Sequence, residues 1–160
     1  MRKINMVTIL PIILYSHLLS ASVNHCPEPS EIDGANGMGL YFTANSQWLG
    51  VSQGAENNGK VSHFLRATYH PYNSNAETIG ILTSCSYALE SGTIDMHMKD
   101  YESIKNGGFF VSLKGHEPWV KTSSTLTGDK FVCQSDDVKY CTFDRLDYYQ
   151  ICQYQTENNS

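Results

Sequence analysis

The sequence predicts an all-β protein, an antiparallel sandwich or barrel of about eight short strands tied by disulfides. Three observations carry that expectation. Apolar and polar residues alternate over most of the chain, the period of a half-buried strand. Gly, Asn, Ser and Pro interrupt the alternation at short intervals, as turns do. Five cysteines, Cys26, Cys85, Cys133, Cys141 and Cys152, all follow a basic-apolar leader. That order suits a chain that meets an oxidising compartment.

The leader comes first. Arg2 and Lys3 precede an apolar run from Ile4 to Leu19, and small residues follow at Ser20-Ala21-Ser22. The run contains Pro11 and His17, and a spanning helix needs about 20 apolar residues. Residues 1–22 therefore read as a cleaved signal peptide rather than a retained anchor, with cleavage after Ala21 or Ser22. Residues 23–160 read as a single all-β domain, periplasmic or secreted, with no membrane span after cleavage. The chain has 11 Lys/Arg and 16 Asp/Glu, and the leader holds two of the basic residues, leaving nine against sixteen. A mature charge near −7 argues against a nucleic-acid partner, which would require a basic patch.

The first strand signals are residues 40–44 and 47–52, around Asn45-Ser46. Residues 54–60 and 71–76 are polar loops. Over residues 61–69, strict alternation puts Val61, His63, Leu65, Ala67 and Tyr69 on one face. Ser62, Phe64, Arg66, Thr68 and His70 take the other. Residues 79–89 carry Ile79, Ile81, Thr83, Cys85, Tyr87 and Leu89 on one face. A two-residue turn at Ser91-Gly92 then pairs Leu89 with Ile94, Tyr87 with Met96, and Cys85 with Met98. Residues 100–106 suggest one or two helical turns, with Asp100 as cap. Residues 109–113, 119–122, 130–134 and 139–143 are further short strands. Residues 148–154 are aromatic enough for another.

Five cysteines allow two bonds and one remainder, in fifteen arrangements. A hairpin joining Cys133 and Cys141 brings their Cα atoms to about 4.5–5.5 Å, which a disulfide accepts. Cys26 and Cys85 form the other expected pair, leaving Cys152 over. The rival scheme joins Cys152 to Cys141 or Cys85. No Cys-x-x-Cys or zinc-ligand spacing occurs, so the cysteines read as structural.

Chemical motifs are few. No nucleophile elbow, zinc-protease helix or phosphate-binding glycine loop is present, and no catalytic residue is assigned. Cleavage after Ser22 would begin the chain Val23-Asn24-His25, a pattern able to chelate Cu(II) or Ni(II) in a square plane. Met96-His97-Met98 looks like a soft-metal cluster, but strand alternation sends the methionines inward and His97 outward. His63 reads as an edge or satisfied histidine. His70 and His116 read as turn residues. Asp136, Asp137, Asp144 and Asp147 lack the oxygen-ligand spacing of a calcium loop and read as solvated acidic surface. No resident cofactor or metal is expected. Trp48 and Trp119 are the candidate binding residues, because amphipathic aromatics suit interfaces.

Cys26-Pro27-Glu28-Pro29-Ser30-Glu31-Ile32, then an aromatic strand, then Trp48 and Gly50, begin a spaced pattern. Cys85-Ser86-Tyr87, then Cys133 with Cys141-Thr142-Phe143, complete it across nearly the whole mature chain. The pattern resembles a family of small exported bacterial proteins of unknown function. The resemblance implies a bacterial exported domain and transfers no catalytic residue. Cys152 lies outside its landmarks.

The leading functional expectation is a non-enzymatic binding or interaction module acting on a protein or glycan. An inhibitor of an envelope or host hydrolase is one concrete form, since an acidic chain suits a basic target. The alternatives are a small secreted hydrolase using a His/acid pair and copper or nickel binding at the N-terminus.

Overall fold

The computed structural model describes residues 23–35, 39–52, 57–72, 78–99, 108–125, 128–147 and 150–152. Eleven strands are formed among them. They are β1 (Val23–Asn24), β2 (Ile32–Ala35), β3 (Leu40–Thr43), β4 (Trp48–Val51), β5 (Asn58–Pro71), β6 (Ile79–Ser91), β7 (Thr93–Met98), β8 (Phe109–Ser112), β9 (Val120–Ser124), β10 (Gly128–Gln134) and β11 (Phe143–Arg145). Two 3-10 turns, Pro29–Glu31 and Val138–Tyr140, complete the order. Every strand pair is antiparallel. The expected all-β, disulfide-tied class is what the chain forms.

Two strands longer than expected organise the sheet. β5 has 14 residues and β6 has 13. One edge of β6 pairs with β5, which continues to β10 and β9. The other edge is shared. Residues 79–82 pair with β8, and residues 85–88 pair with β7. The sheet therefore forks at β6. One wing runs β7-β4-β3-β2, and the other runs β8-β11-β1. The wings fold around one core that includes Phe64, Tyr69, Leu82, Tyr87, Met96, Val111 and Phe143, each under 2 % exposed. Burying these large side chains is the main favourable contribution to the fold.

β5 breaks the alternation expected of it. Between the pairs Phe64–Tyr87 and Arg66–Ser86, β5 advances two residues while β6 advances one. Leu65 is the extra residue of a β-bulge, which switches the faces. Phe64, Ala67 and Tyr69 are all fully buried as a result, and His63 is exposed. A further register shift between Val61 and His63 adds to the bending of the strand. Strict alternation could not place Phe64 and Ala67 on one face, because it assumes an unbroken ladder.

The β6–β7 hairpin forms in a register two residues from the expected one. Ala88 faces Thr93, Tyr87 faces Ile94, and Cys85 faces Met96. Residues 89–92 make a four-residue loop, with the Leu89 N–H donating to Gly92 O at 3.0 Å. An even shift preserves the faces, so Tyr87, Ile94, Cys85 and Met96 still point into the core. The cause lies in β5, which keeps Leu89 and Ser91 as partners for Val61 and Asn58. Gly92 sits at φ 80°, and a Cβ there would strike Asn57 Oδ1. That oxygen accepts the Thr93 N–H at 3.0 Å.

Other expectations need correction. Lys139 and Tyr140 belong to a 3-10 turn, not a strand. Asn58 to Lys60 extend β5 rather than forming a loop. Residues 150–152 are helical, where a strand was expected. Asp147 Oδ1 accepts the Gln150 N–H, and Gln150 Oε1 accepts the Asp147 N–H, both at 2.8 Å. This reciprocal arrangement is a capping box, which starts a helix. Strands β1 and β2 were not expected. The helical turns proposed for residues 100–106 lie outside the described residues.

Both expected disulfides are present. Cys26–Cys85 has a Cα separation of 6.0 Å, and Cys133–Cys141 one of 5.6 Å. The second bond does not cross a hairpin ladder. The 3-10 turn brings Cys141 back to β10, and Val138 plugs the core beneath it at 1 % exposure. Cys152 is in neither bond.

Candidate functional site: a cleft over a row of rings

Three buried rings from three strands line up inside the fork. Trp48 of β4 meets Phe109 of β8 edge-on, with centroids 5.7 Å apart. Phe109 meets Phe143 of β11 at the same separation. Such edge-to-face contacts are favoured by the ring quadrupoles. A cleft of about 410 Å³ opens over them, walled by the N-terminal segment, the β3–β4 turn and β11.

The N-terminal wall is held by several fastenings. β1 pairs with β11, matching Val23 with Asp144 and Asn24 with Phe143. Cys26 is bonded to Cys85 in the core. Tyr87 donates its hydroxyl to Pro27 O at 2.6 Å. Burial, then the nearby Glu28 and Glu31 charges, push the Tyr87 phenol well up, so it stays a donor. Glu28 and Glu31 form a capping box on the first 3-10 turn, with Glu31 Oε2 accepting the Glu28 N–H at 2.9 Å. Lys139 Nζ lies 3.3 Å from Glu28 Oε1 and ties this wall to the second 3-10 turn. His25 Nδ1 is 2.7 Å from Cys26 O. A carbonyl only accepts, so Nδ1 carries the proton in this contact. In the neutral ring Nε2 is then an acceptor.

The β3–β4 turn supplies the second wall. Ser46 takes the left-handed conformation at φ 54°. Asn45 Oδ1 accepts the Thr43 hydroxyl at 2.7 Å and the Gln47 N–H at 3.0 Å. Asn45 Nδ2 donates to Gln47 Oε1 at 3.1 Å. Thr43 Oγ1 in turn accepts the Trp48 N–H at 3.2 Å. One small network thus positions two carboxamides and the backbone of the floor tryptophan. Gly50 lets β4 approach β7, since a Cβ there would lie 2.9 Å from the Asp95 carbonyl.

β11 closes the third side. Phe143 and Arg145 both line the cleft, as i and i+2 residues on a strand share a face. The Arg145 guanidinium stands 5.7 Å from the Phe109 ring centroid, a cation–π contact. Asp144 takes the opposite face. Its carboxylate is 3.2 Å from His116 Nε2, while His116 Nδ1 is 2.8 Å from Thr142 Oγ1. These contacts fasten the turn after β8 to β11.

The two candidate tryptophans are not brought together. Trp48 forms the cleft floor. Trp119 donates its indole N–H to Thr142 O at 3.0 Å and packs on Tyr69, 6.2 Å between centroids. It does not line the cleft. Met96 is fully buried, and His97 is exposed with Nδ1 against Thr83 O. Asp137 caps the second 3-10 turn through Lys139 N, at 2.9 Å. Among the described residues, no group of three His, Cys, Asp or Glu side chains is placed to hold a metal. Sequence reasoning missed Asn45, Gln47, Phe109, Phe143 and Arg145 as site residues. The spacing Phe143-x-Arg145 was the available signal, hidden by placing the strand four residues too early.

The model of a family described as "Protein of unknown function (DUF3757)" matches residues 21–144. The chain belongs to that family. The matched span takes in both disulfides and the three floor rings, and Arg145 lies one residue beyond it. No curated protein and no solved structure matches the chain. Among the described residues, no helix is long and apolar enough to cross a membrane.

Proposed function

We propose that this chain is an exported bacterial binding module that holds a partner in the cleft above Trp48. The cleft itself is the supporting observation. It combines an apolar floor with a few fixed polar groups, the usual make-up of a ligand site. Export is supported by the leader and by two disulfides, which persist in oxidising compartments. The reading is tested with the processed protein on a glycan array and in capture from an envelope extract. Wild type is expected to give a specific signal that a Gln47→Ala, Arg145→Gln variant loses. Absence of any signal in both formats counts against the reading.

A hydrolase is the second reading, favoured by one observation, the His116–Asp144 pair with Thr142 on the other ring nitrogen. His116 and Thr142 do not line the cleft, which ranks this reading lower. Ester hydrolysis abolished by His116→Gln would reverse the order. Copper or nickel chelation at Val23-Asn24-His25 ranks last. It requires the backbone amides to turn onto the metal, against the extended pairing of β1 with β11.

A further inference from the structure

We infer that β9 pairs edge to edge with β9 of a second copy of this chain, making one continuous sheet across a two-fold dimer. No residue of β9 lines the cleft, so the dimer stands or falls apart from the binding-module reading.

Among the described residues, three strands end the branches of the sheet: β1, β2 and β9. An edge strand offers a row of backbone N–H and C=O groups to another chain. β1 is only two residues long. β2 carries the charge of Asp33 and lies against β5. β9 has neither protection. Its five residues pair with β10 in an unbroken register, and they include no proline. Residues 120–123 are exposed. Val120 is 62 % exposed and faces Val132 across the ladder. A lysine on an edge ordinarily repels a second strand. Here Lys121 Nζ is 3.0 Å from Asp129 Oδ2 on its own hairpin, which offsets that charge.

The strand's own pattern selects a second copy and its register. Along an antiparallel edge, outward-pointing N–H and C=O groups belong to alternate residues. Two copies of one edge therefore bond about a two-fold axis only when a residue faces its own copy. Centring on Lys121 sets two lysines directly opposite, which is destabilising. Centring on Ser123 pairs only residues 122–124 within the strands. Centring on Thr122 pairs all five residues. It sets Lys121 opposite Ser123 of the second copy, a serine whose hydroxyl donates to Asp129 Oδ1 at 2.6 Å. No like charges meet. Such an interface is isologous and closes at two copies, the commonest form of homo-oligomer. Five paired residues bury less than the ~800 Å² per partner of a standard interface. The dimer is therefore weak, with a dissociation constant between about 1 µM and about 1 mM.

The test is sedimentation equilibrium of the processed full-length protein over that concentration range. The mass is expected to rise from monomer to dimer and stop there. Thr122→Glu sets two carboxylates on the axis while facing Lys130 within its own hairpin. It is expected to raise the dissociation constant at least about tenfold without lowering the melting temperature. Oxidative cross-linking checks the register independently, in a Cys152→Ser background because Cys152 is in neither disulfide. Thr122→Cys is expected to give a covalent dimer, since directly opposed Cα atoms lie about 4.5–5.5 Å apart. Ser123→Cys is expected to link far more slowly, because the two copies of that residue are offset along the strands. A chain that stays monomeric throughout, with or without a foreign strand on β9, overturns the inference. So does a dimer unchanged by Thr122→Glu, or a Ser123→Cys variant that links as fast as Thr122→Cys.

Discussion

The two disulfides close regions of opposite character. Cys26–Cys85 joins residues 59 apart and pins the N-terminal wall of the cleft to the central strand β6. Cys133–Cys141 joins residues 8 apart and closes one 3-10 turn over Val138. Both bonds are fully buried. The first makes a non-local surface out of a segment whose only described ladder is the two-residue strand β1. The second reinforces a turn that already follows a seven-residue strand. Similar chemistry therefore serves the site in one place and the scaffold in the other.

The largest test of this contrast is to remove each bond. Loop-closure entropy makes the Cys26–Cys85 bond worth about 4 kcal/mol and the Cys133–Cys141 bond about 2.6 kcal/mol. In urea titrations, Cys26→Ser with Cys85→Ser is expected to lose more stability than Cys133→Ser with Cys141→Ser. Only the first pair is expected to abolish ligand binding at the cleft. Loss of binding in the second pair would erase the distinction.

A smaller effect separates the wall from its bond. Tyr87→Phe keeps the Cys26–Cys85 link but leaves the Pro27 carbonyl without its buried donor. An unpaired buried acceptor costs about 1–3 kcal/mol. Chemical denaturation should show that loss, with weaker cleft binding despite an intact disulfide.

The mildest effect belongs to the side of β10. His70 is partly buried on β5, and burial, then the Lys130 charge, hold its pKa below the ordinary 6.5. The unfolded chain therefore takes up a proton before the folded one does. This contribution to stability is whole above about pH 6.5 and is lost as pH falls toward the folded value. His70→Gln is expected to flatten the stability profile in that window, read by melting temperature against pH. The Asp129 carboxylate is held low by Ser123 and then Lys121. It loses its contribution only below its ordinary 3.8, so the two windows separate.

Much of the fold was legible because local pattern and burial agree. The run from Ile79 to Leu89 alternates, and it became β6. Cys133 and Cys141 were pairable because so short a separation leaves few alternatives. The bulge at Leu65 was not legible, since an extra residue shows only against its partner strand. The capping box at Asp147 and Gln150 was legible in principle. The aromatic residues around it outweighed that short-range signal.

The candidate site was harder to read. Trp48 was identified for its chemistry, but nothing local pairs it with Phe109 or Phe143, which come from strands 61 and 95 positions later. Trp119 had the same chemistry and went to a different neighbourhood.

By itself, the sequence determined the all-β class, the short-range Cys133–Cys141 pairing and the inward face of the β6–β7 hairpin. Each follows from a period or a spacing that a short stretch of chain carries within itself. Only the tertiary structure decided the fork at β6, the register of that hairpin and the cleft. Those depend on which strand takes each edge of β6, and that competition is settled by burial across the whole core.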